Sequence, residues 1–205
     1  GKVRVGVIGF SDRFRSSLLP CFMHHNQELN FDIVGVSDIW KLRREEGVGQ
    51  LSEKMGHEVT GYRNNDELFD SKSIDAVIIS TADFQHALHG AAAVKAGYDV
   101  YIEKPFAETM DDARVALKEI KASNKIIQIG SQRRSGKNYH AAANYIKEGK
   151  FGPITMVELT WNVNQPGRWR RAALVEKLLE KDTDWKRFQM NRPAEPFNAR
   201  KHLEF

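Results

Sequence analysis

Glu103-Lys104-Pro105 follows the apolar run Val100-Tyr101-Ile102 and sets an acid, a base and a proline at the end of a strand. Charge at the end of a buried strand is costly unless it is used or paired. In an open parallel sheet that end is also where ligands bind. Pro105 restricts Lys104 towards extended backbone and so fixes the direction of its stem. Lys104 is therefore the candidate catalytic group. The competing reading is a strand end carrying a surface ion pair.

Three further stretches hold suitable chemistry. Gly9-Phe10-Ser11-Asp12-Arg13-Phe14 stands where a first strand would meet a first helix. A dinucleotide site asks there for G-x-G-x-x-G, so that backbone can approach a pyrophosphate. Only Gly9 of the three glycines is present. Ser11 is small enough for close approach, Phe14 is expected to crowd the helix against the strand, and Arg13 and Arg15 can offset phosphate charge. Asp38 follows a second strand, where an acid holds ribose hydroxyls and favours NAD over NADP. It equally suits a cap for a helix starting at Trp40. Ser80-Thr81 end a third strand, with His86 on the turn after it. His86 and His89 have no Cys, Asp or Glu at metal-ligand spacing, so no metal is expected. Cys21 lies near His24 and His25, but nothing orients a base for a thiol nucleophile.

The elements that position these groups follow from periodicity. Val3–Ile8, Phe31–Ser37, Asp75–Ser80, Val100–Ile102 and Ile126–Ile129 read as strands, several of them apolar almost throughout, as strands covered on both faces are. Helical patterns fall between: 16–29 with Pro20 near its regular start, 40–55, 85–96 ended by Gly97, and one opened by Thr109 and Asp112 as a capping box. Alternation of this kind specifies a doubly wound parallel sheet over residues 1–130. From Ser131 the texture changes. A polar linker, a helix over 139–148 and a strand over 155–163 with Val157, Leu159, Trp161 and Val163 on one face predict the start of an α/β domain with an open antiparallel sheet, over 131–205. A single strand cannot form a free-standing sheet, so partner strands must come from elsewhere, and a homo-oligomer through 151–205 is expected.

The charge is split. Residues 1–130 hold 16 Lys+Arg against 19 Asp+Glu, a net of −3, and residues 131–205 hold 15 against 8, a net of +7. Arg168-Trp169-Arg170-Arg171 is the densest basic cluster, yet it lacks the spread of aromatic platforms that single-stranded nucleic acid wants, and no nucleic-acid partner is expected. No apolar run approaches the roughly 18 residues of a membrane helix, so no membrane partner is expected either. Val3–Ile8 reads as a strand rather than a signal peptide. The single cysteine fits a reducing, cytoplasmic setting, although export after removal of a leader fits the sequence too.

Taken in order, the motifs resemble the Gfo/Idh/MocA oxidoreductases, the family of glucose–fructose oxidoreductase and inositol dehydrogenase. The resemblance rests on Val5-Gly6-Val7-Ile8-Gly9, Val36-Ser37-Asp38, Ser80-Thr81 through His86, and most of all Glu103-Lys104-Pro105. It continues in Gln128-Ile129-Gly130-Ser131-Gln132-Arg133-Arg134-Ser135 and through Gly149 to Trp161. It implies an NAD(P)-binding Rossmann domain that includes Gly9, Phe10, Ser11, Arg13, Phe14, Asp38, Ser80, Thr81, His86, Glu103 and Lys104. It also implies a second domain, an open and mostly antiparallel sheet, forming the substrate site and often the oligomer interface. Lys104 then stands near the nicotinamide and the reacting carbon, Glu103 orients it or the nicotinamide ribose, and Arg133 and Trp169 are candidates for the substrate side. Family enzymes commonly add a histidine in an Asp-x-x-x-His pattern, which is absent up to Phe205. The chain is thus expected to be the N-terminal part of an NAD-dependent oxidoreductase acting on a hydroxyl of a sugar, polyol or related compound. The alternatives are an NAD-dependent glycosidase of the same superfamily and a non-catalytic nucleotide-binding module.

Overall fold

The computed structural model describes residues 1–167 and 169–204. Its centre is a parallel sheet of β1 (Val3–Ile8), β2 (Phe31–Ser37), β3 (Thr60–Tyr62), β4 (Ala76–Ile79), β5 (Asp99–Glu103) and β6 (Ile127–Gly130), in the spatial order β3-β2-β1-β4-β5-β6. The connections are helical: α1 (Leu19–His25), α2 (Lys41–Met55), α3 (Asn65–Asp70), α4 (His86–Ala96) and α5 (Met110–Ala122). Alternate residues of one strand serve opposite faces. Val5, Val7 and Ile78 therefore pack with Leu18, Leu19 and Leu51 on one side, while Ile8, Val77 and Ile79 pack with Leu68, Ala93 and Val94 on the other. β3 and α3 were not expected from the sequence. A three-residue edge strand reading Thr-Gly-Tyr carries too little apolar pattern to be seen.

Local signals explain most boundaries. Pro20 sits in the first turn of α1, where its missing N–H costs nothing. Thr109 Oγ1 accepts from the Asp112 N–H at 3.1 Å to open α5, and Gly97 at φ 94° closes α4. The close face of α4 is set by Gly90: a Cβ there would stand 2.6 Å from Ile102 Cδ1 of β5.

The chain divides into two compact units. The first joins Gly1–Gly130 to the segment from Arg171 onward, and the second is Ser131–Arg170. The residues expected to form one domain over 131–205 are thus shared between the two. The return segment carries α7 (Ala172–Val175), α8 (Trp185–Gln189) and α9 (Ala199–Leu203). It packs because it brings its own apolar anchors: Leu178 and Phe188 are buried, the latter against Ala82 and Phe84 with Ile39 and Trp185 alongside.

Among its described residues the second unit has one helix, α6 (Lys137–Lys147; the labels α7 to α9 follow it in chain order), and no buried residue on it. Residues 152–165 take no regular structure where a strand over 155–163 was expected. A strand is held by its ladder, and no other described segment of this unit is in strand conformation to supply one. The open antiparallel sheet is accordingly not formed here. Arg168, in the basic cluster, lies outside the described residues.

Candidate cofactor and active site

β1 ends in Gly9, whose φ of 86° is left-handed. A Cβ there would stand 2.7 Å from Ser80 O and 2.8 Å from Thr81 Cγ2, so glycine is required by both backbone and the approach of β4. Ser11, in the place of the second glycine, links the two strand ends: its Oγ lies 2.8 Å from Ser80 Oγ and accepts from the Phe14 N–H at 3.1 Å. Phe10 and Phe14 turn inward. Both are fully buried with ring centroids 5.8 Å apart, so neither side chain faces a phosphate, contrary to their expected place on the cofactor side. The helix takes a π turn at Phe14–Leu18. Its wider turn lets the Phe14 ring enter the core, and the expected crowding of helix against strand does not arise.

Asp38, at the end of β2, combines its two readings. Oδ2 accepts from the Phe10 N–H and Oδ1 from the Trp40 N–H, each at 2.9 Å. It thereby fixes the loop and opens α2 together. Burial pushes its carboxyl up, against the two N–H groups and the charges of Arg43 and Arg44, which pull it down. A carboxylate has about four lone-pair positions, so two remain for ribose hydroxyls.

At the end of β5 the charges separate. Glu103 is 2% exposed: its Oε1 accepts from Arg13 Nη2 at 3.0 Å and its Oε2 from the Lys104 N–H at 3.1 Å. Arg13, expected to face phosphate, is instead committed to Glu103. Proximity to Glu103 adds to burial in raising the Tyr101 hydroxyl above its ordinary value. His86 is fully buried, with Nδ1 2.8 Å from Pro105 O and Nε2 3.2 Å from Thr81 O. Its ring therefore braces the main chain on either side of the site rather than reaching into it. Lys104 is left exposed, and its ammonium has no hydrogen-bond or ion-pair partner among the described residues.

Along the carboxyl edge of β1, β4 and β5, Ser11 is tied to Ser80, His86 to Thr81, and Arg13 to Glu103, which also holds the Lys104 N–H; Gly9 lies on the same edge with its N–H donated to Ser37 O. Arg133 and Trp169 belong to the second unit, where both are exposed and Arg133 has φ 69°. Sequence reading missed Asp12, Arg43 and the return segment. Asp12 accepts from Arg15, from Arg43 Nη2 at 3.1 Å and from Arg171 Nε at 3.2 Å. Burial pushes its carboxyl up, but the Arg15 hydrogen bond and the Arg43 and Arg171 guanidiniums hold it below its ordinary value overall. The return segment crosses the same edge. Thr183 bridges Trp40, the Gln85 Nε2 donates to Phe188 O at 2.7 Å, Arg187 pairs with Asp66 at 2.8 Å, and the Arg192 guanidinium stands 3.7 Å over the Phe84 ring. Phe188 and Trp185, apolar residues in an otherwise polar tail, were the available signal.

The residues fit a dinucleotide. Gly9 forms a cradle that any Cβ would fill, the buried Thr81 Oγ1 and Arg15 Nε have no partner, and Asp38 keeps acceptor capacity. No group of three or more His, Cys, Asp or Glu able to hold a metal occurs among the described residues. Among those residues no helix is long and apolar enough to cross a membrane.

Residues 3–131 match the family described as "Oxidoreductase family, NAD-binding Rossmann fold". The inositol 2-dehydrogenase of Salmonella typhimurium is 32% identical over 158 residues, 77% of this chain and 44% of that protein. The myo-inositol 2-dehydrogenase of Thermotoga maritima is 25% identical over 160 residues. Among solved structures, myo-inositol 2-dehydrogenase from Lactobacillus plantarum superposes with a TM-score of 0.61 at 25% identity, covering 75% of this chain and 43% of that one. The WlbA dehydrogenase from Chromobacterium violaceum, solved with NADH and UDP-GlcNAcA, gives 0.65 at 20% identity over 74% and 41%. At that identity it speaks for the fold alone. The chain spans about 44% of the length of the curated relatives it matches.

Proposed function

The chain belongs to the Gfo/Idh/MocA oxidoreductases and carries their NAD-binding Rossmann fold, and on that premise we propose that the protein oxidises or reduces a hydroxyl-bearing carbon of a sugar, polyol or related compound. The observation that carries the reading is Lys104: an exposed, unpaired ammonium at the carboxyl edge, its main chain held by Glu103 and the adjoining Pro105 by His86. The inositol dehydrogenases among its relatives make an inositol the first substrate to try.

In the oxidative direction Lys104 acts as a base in its amine form. The substrate O–H proton moves to Nζ as the C–H hydrogen leaves with its electron pair, and the carbinol becomes a carbonyl. NAD, when bound, supplies the acceptor for that hydride. The chain's own part is positional. Gly9 and Ser11 let backbone approach the pyrophosphate, Asp38 takes the adenosine ribose hydroxyls and disfavours a 2′-phosphate, and Thr81 Oγ1 offers a hydroxyl inside the cleft. His86 and Glu103 keep Lys104 in register. Arg133 and Trp169 remain the candidates for holding the substrate. The apolar face of 155–163 pairs into an open sheet once further strands are present, and that sheet joins copies of the protein in a cytoplasmic homo-oligomer.

The reading is tested on protein of the relatives' full length, with myo-inositol and NAD. Lys104→Met should lower turnover by roughly 10²–10⁴-fold while NAD affinity stays within a few-fold. Undiminished turnover in that variant removes Lys104 from the chemistry.

A further inference from the structure

Asp12 lies in the middle of the loop that faces the cofactor, yet it is an anion where an anion is due to bind. Its carboxylate accepts from Arg15 Nη2, from Arg43 Nη2 at 3.1 Å and from Arg171 Nε at 3.2 Å. These guanidiniums come from three segments: the π turn, α2 and the start of the return segment. One more carboxylate joins them, Glu46, at 2.7 Å from Arg43 and 3.9 Å from Arg15. Glu204 accepts from the Arg171 main-chain N–H at 2.5 Å and brings a third carboxylate to the same surroundings. The Arg15 Nε is buried and has no partner, so the cluster has an unused donor. In this fold class the pyrophosphate of a dinucleotide lies over this same turn.

We propose that Asp12 is an internal occupant of the phosphate site, holding these guanidiniums until the cofactor's pyrophosphate displaces it. The inference rests on Gly9–Phe14 being the cofactor loop. Two anions cannot share the cluster cheaply, since like charges at close range repel in water and more strongly at lower effective dielectric. The Asp12 side chain is 45% exposed and can rotate into water, whereas a pyrophosphate brings more charge and more acceptor oxygens to the same donors. Its displacement lowers apparent cofactor affinity by the fraction of molecules in which the cluster is already taken. Asp12 is then an affinity-setting residue, and cofactor entry re-pairs Arg171, the first contact of the return segment.

The test titrates the 205-residue chain and its Asp12→Asn variant with inorganic pyrophosphate, NAD and adenosine. Pyrophosphate and NAD should bind the variant on the order of five- to tenfold more tightly, with adenosine unchanged. In the double variant Asp12→Asn/Arg171→Gln part of that gain should disappear. In the unaltered chain pyrophosphate should shift the Nε–H resonances of Arg15, Arg43 and Arg171 but not that of Arg4, which pairs with Asp75 on the opposite edge; this arm stands even if the variants fold poorly. NAD and pyrophosphate binding the variant no better than the original chain makes Asp12 a structural clasp and overturns the proposal, leaving the cofactor reading intact. Tighter pyrophosphate with no NAD binding to either chain keeps the anion site and overturns the cofactor reading. Absence of binding by both ligands to both chains, with no resonance shifts, overturns both.

Discussion

The segment 155–163 alternates as cleanly as any strand of the sheet, yet Leu159 is 93% exposed and Trp161 80%, while Val7, Ile79 and Ile102 are wholly buried. Both stretches have β-branched and apolar residues at the right period. They differ in what lies alongside. Each strand of the first unit meets at least one parallel neighbour, and the central strands have helices on both faces. Among the described residues of its own unit the 155–163 segment has no strand to pair with. Periodicity states which face a strand will bury if a ladder forms, and the ladder itself is decided by residues far away in sequence. The return segment makes the converse point. Its periodicity is poor, but Phe188, Trp185 and Leu178 find an apolar surface at the edge of the sheet and are held there.

The comparison breaks most sharply on a pair of truncations. Phe14 is fully buried among Phe10, Val36 and Leu19, so Phe14→Ala should lower unfolding free energy by about 3–5 kcal/mol. Leu159→Ala should cost less than about 0.5 kcal/mol. Urea melts of the two variants check both values. A loss above about 1 kcal/mol for Leu159→Ala means that residues 155–163 are buried by something in solution, such as a second copy. The same contrast revises what a glycine loop would do here. Replacing Ser11 and Phe14 with glycine, to restore the G-x-G-x-x-G pattern, removes a core ring and a cap, and should weaken both the fold and the site.

Much of the first unit was legible before the structure. Strand–helix alternation, Gly97, the Thr109 cap and the acid after β2 each act through neighbours a few residues away, and such effects are written locally. What escaped depended on distance. Arg13 looks like a phosphate ligand until Glu103, 90 residues on, is seen to occupy it. Phe14 looks obstructive until a π turn directs it inward. Asp12 has no reading at all without Arg43 and Arg171. Lys104 stands out from three residues and its link to Glu103 was expected from the resemblance, whereas the bonds of His86 to Pro105 O and Thr81 O needed the fold.

The return segment gives the next test. His202 stacks 4.4 Å from the Phe188 ring and its Nε2 lies 3.1 Å from Thr183 Oγ1, and burial lowers it to about 4 from an ordinary 6.5. A histidine held neutral stabilises above its unfolded value, and that contribution is lost as pH falls from about 6.5 towards 4, to an upper limit on the order of 3 kcal/mol. His89, also lowered to about 4 by burial and by the charge of His86, adds a loss in the same window within α4. Amide exchange separates them. Protection over 183–202 should fall with pH in the original chain and lose most of that dependence in His202→Phe. Protection that is flat from pH 7 to 4.5 shows that the return segment is held without this contact.

Cofactor choice carries a smaller free energy. Asp38 at the ribose end should make NADP bind at least about tenfold more weakly than NAD, since one added like-charge contact is worth on the order of 1–2 kcal/mol in a half-screened site. Arg43 and Arg44 flank the same carboxylate and oppose the effect, which keeps the expected ratio modest. Side-by-side titration of the two cofactors decides it. Equal affinities would mean that these two cations accept the 2′-phosphate and that Asp38 serves only the Phe10 and Trp40 amides.

The smallest effect should come from the other edge of the sheet. Asp75, just before β4, accepts from Arg4 Nη2 at 2.7 Å and from the Arg4 N–H at 2.9 Å; the Arg4 side-chain bond and then the backbone bond bring it down from 3.8 to about 2. A depressed carboxylate stabilises above its unfolded value, so this contribution is complete above about pH 4 and fades as pH falls through 2. Both side chains are nearly half exposed, and solvent screening holds such a pair to roughly 0–1 kcal/mol. Asp75→Asn should accordingly shift the melting temperature by no more than a few degrees at pH 7 and by less at pH 2, with NAD affinity unaltered at neutral pH. A larger loss at neutral pH would mean that the β1–β4 register depends on this one backbone-anchored carboxylate. The two ends of the sheet would then differ less than their chemistry implies, each holding a strand end in place through an aspartate bonded to a main-chain N–H, as Asp38 does at Phe10.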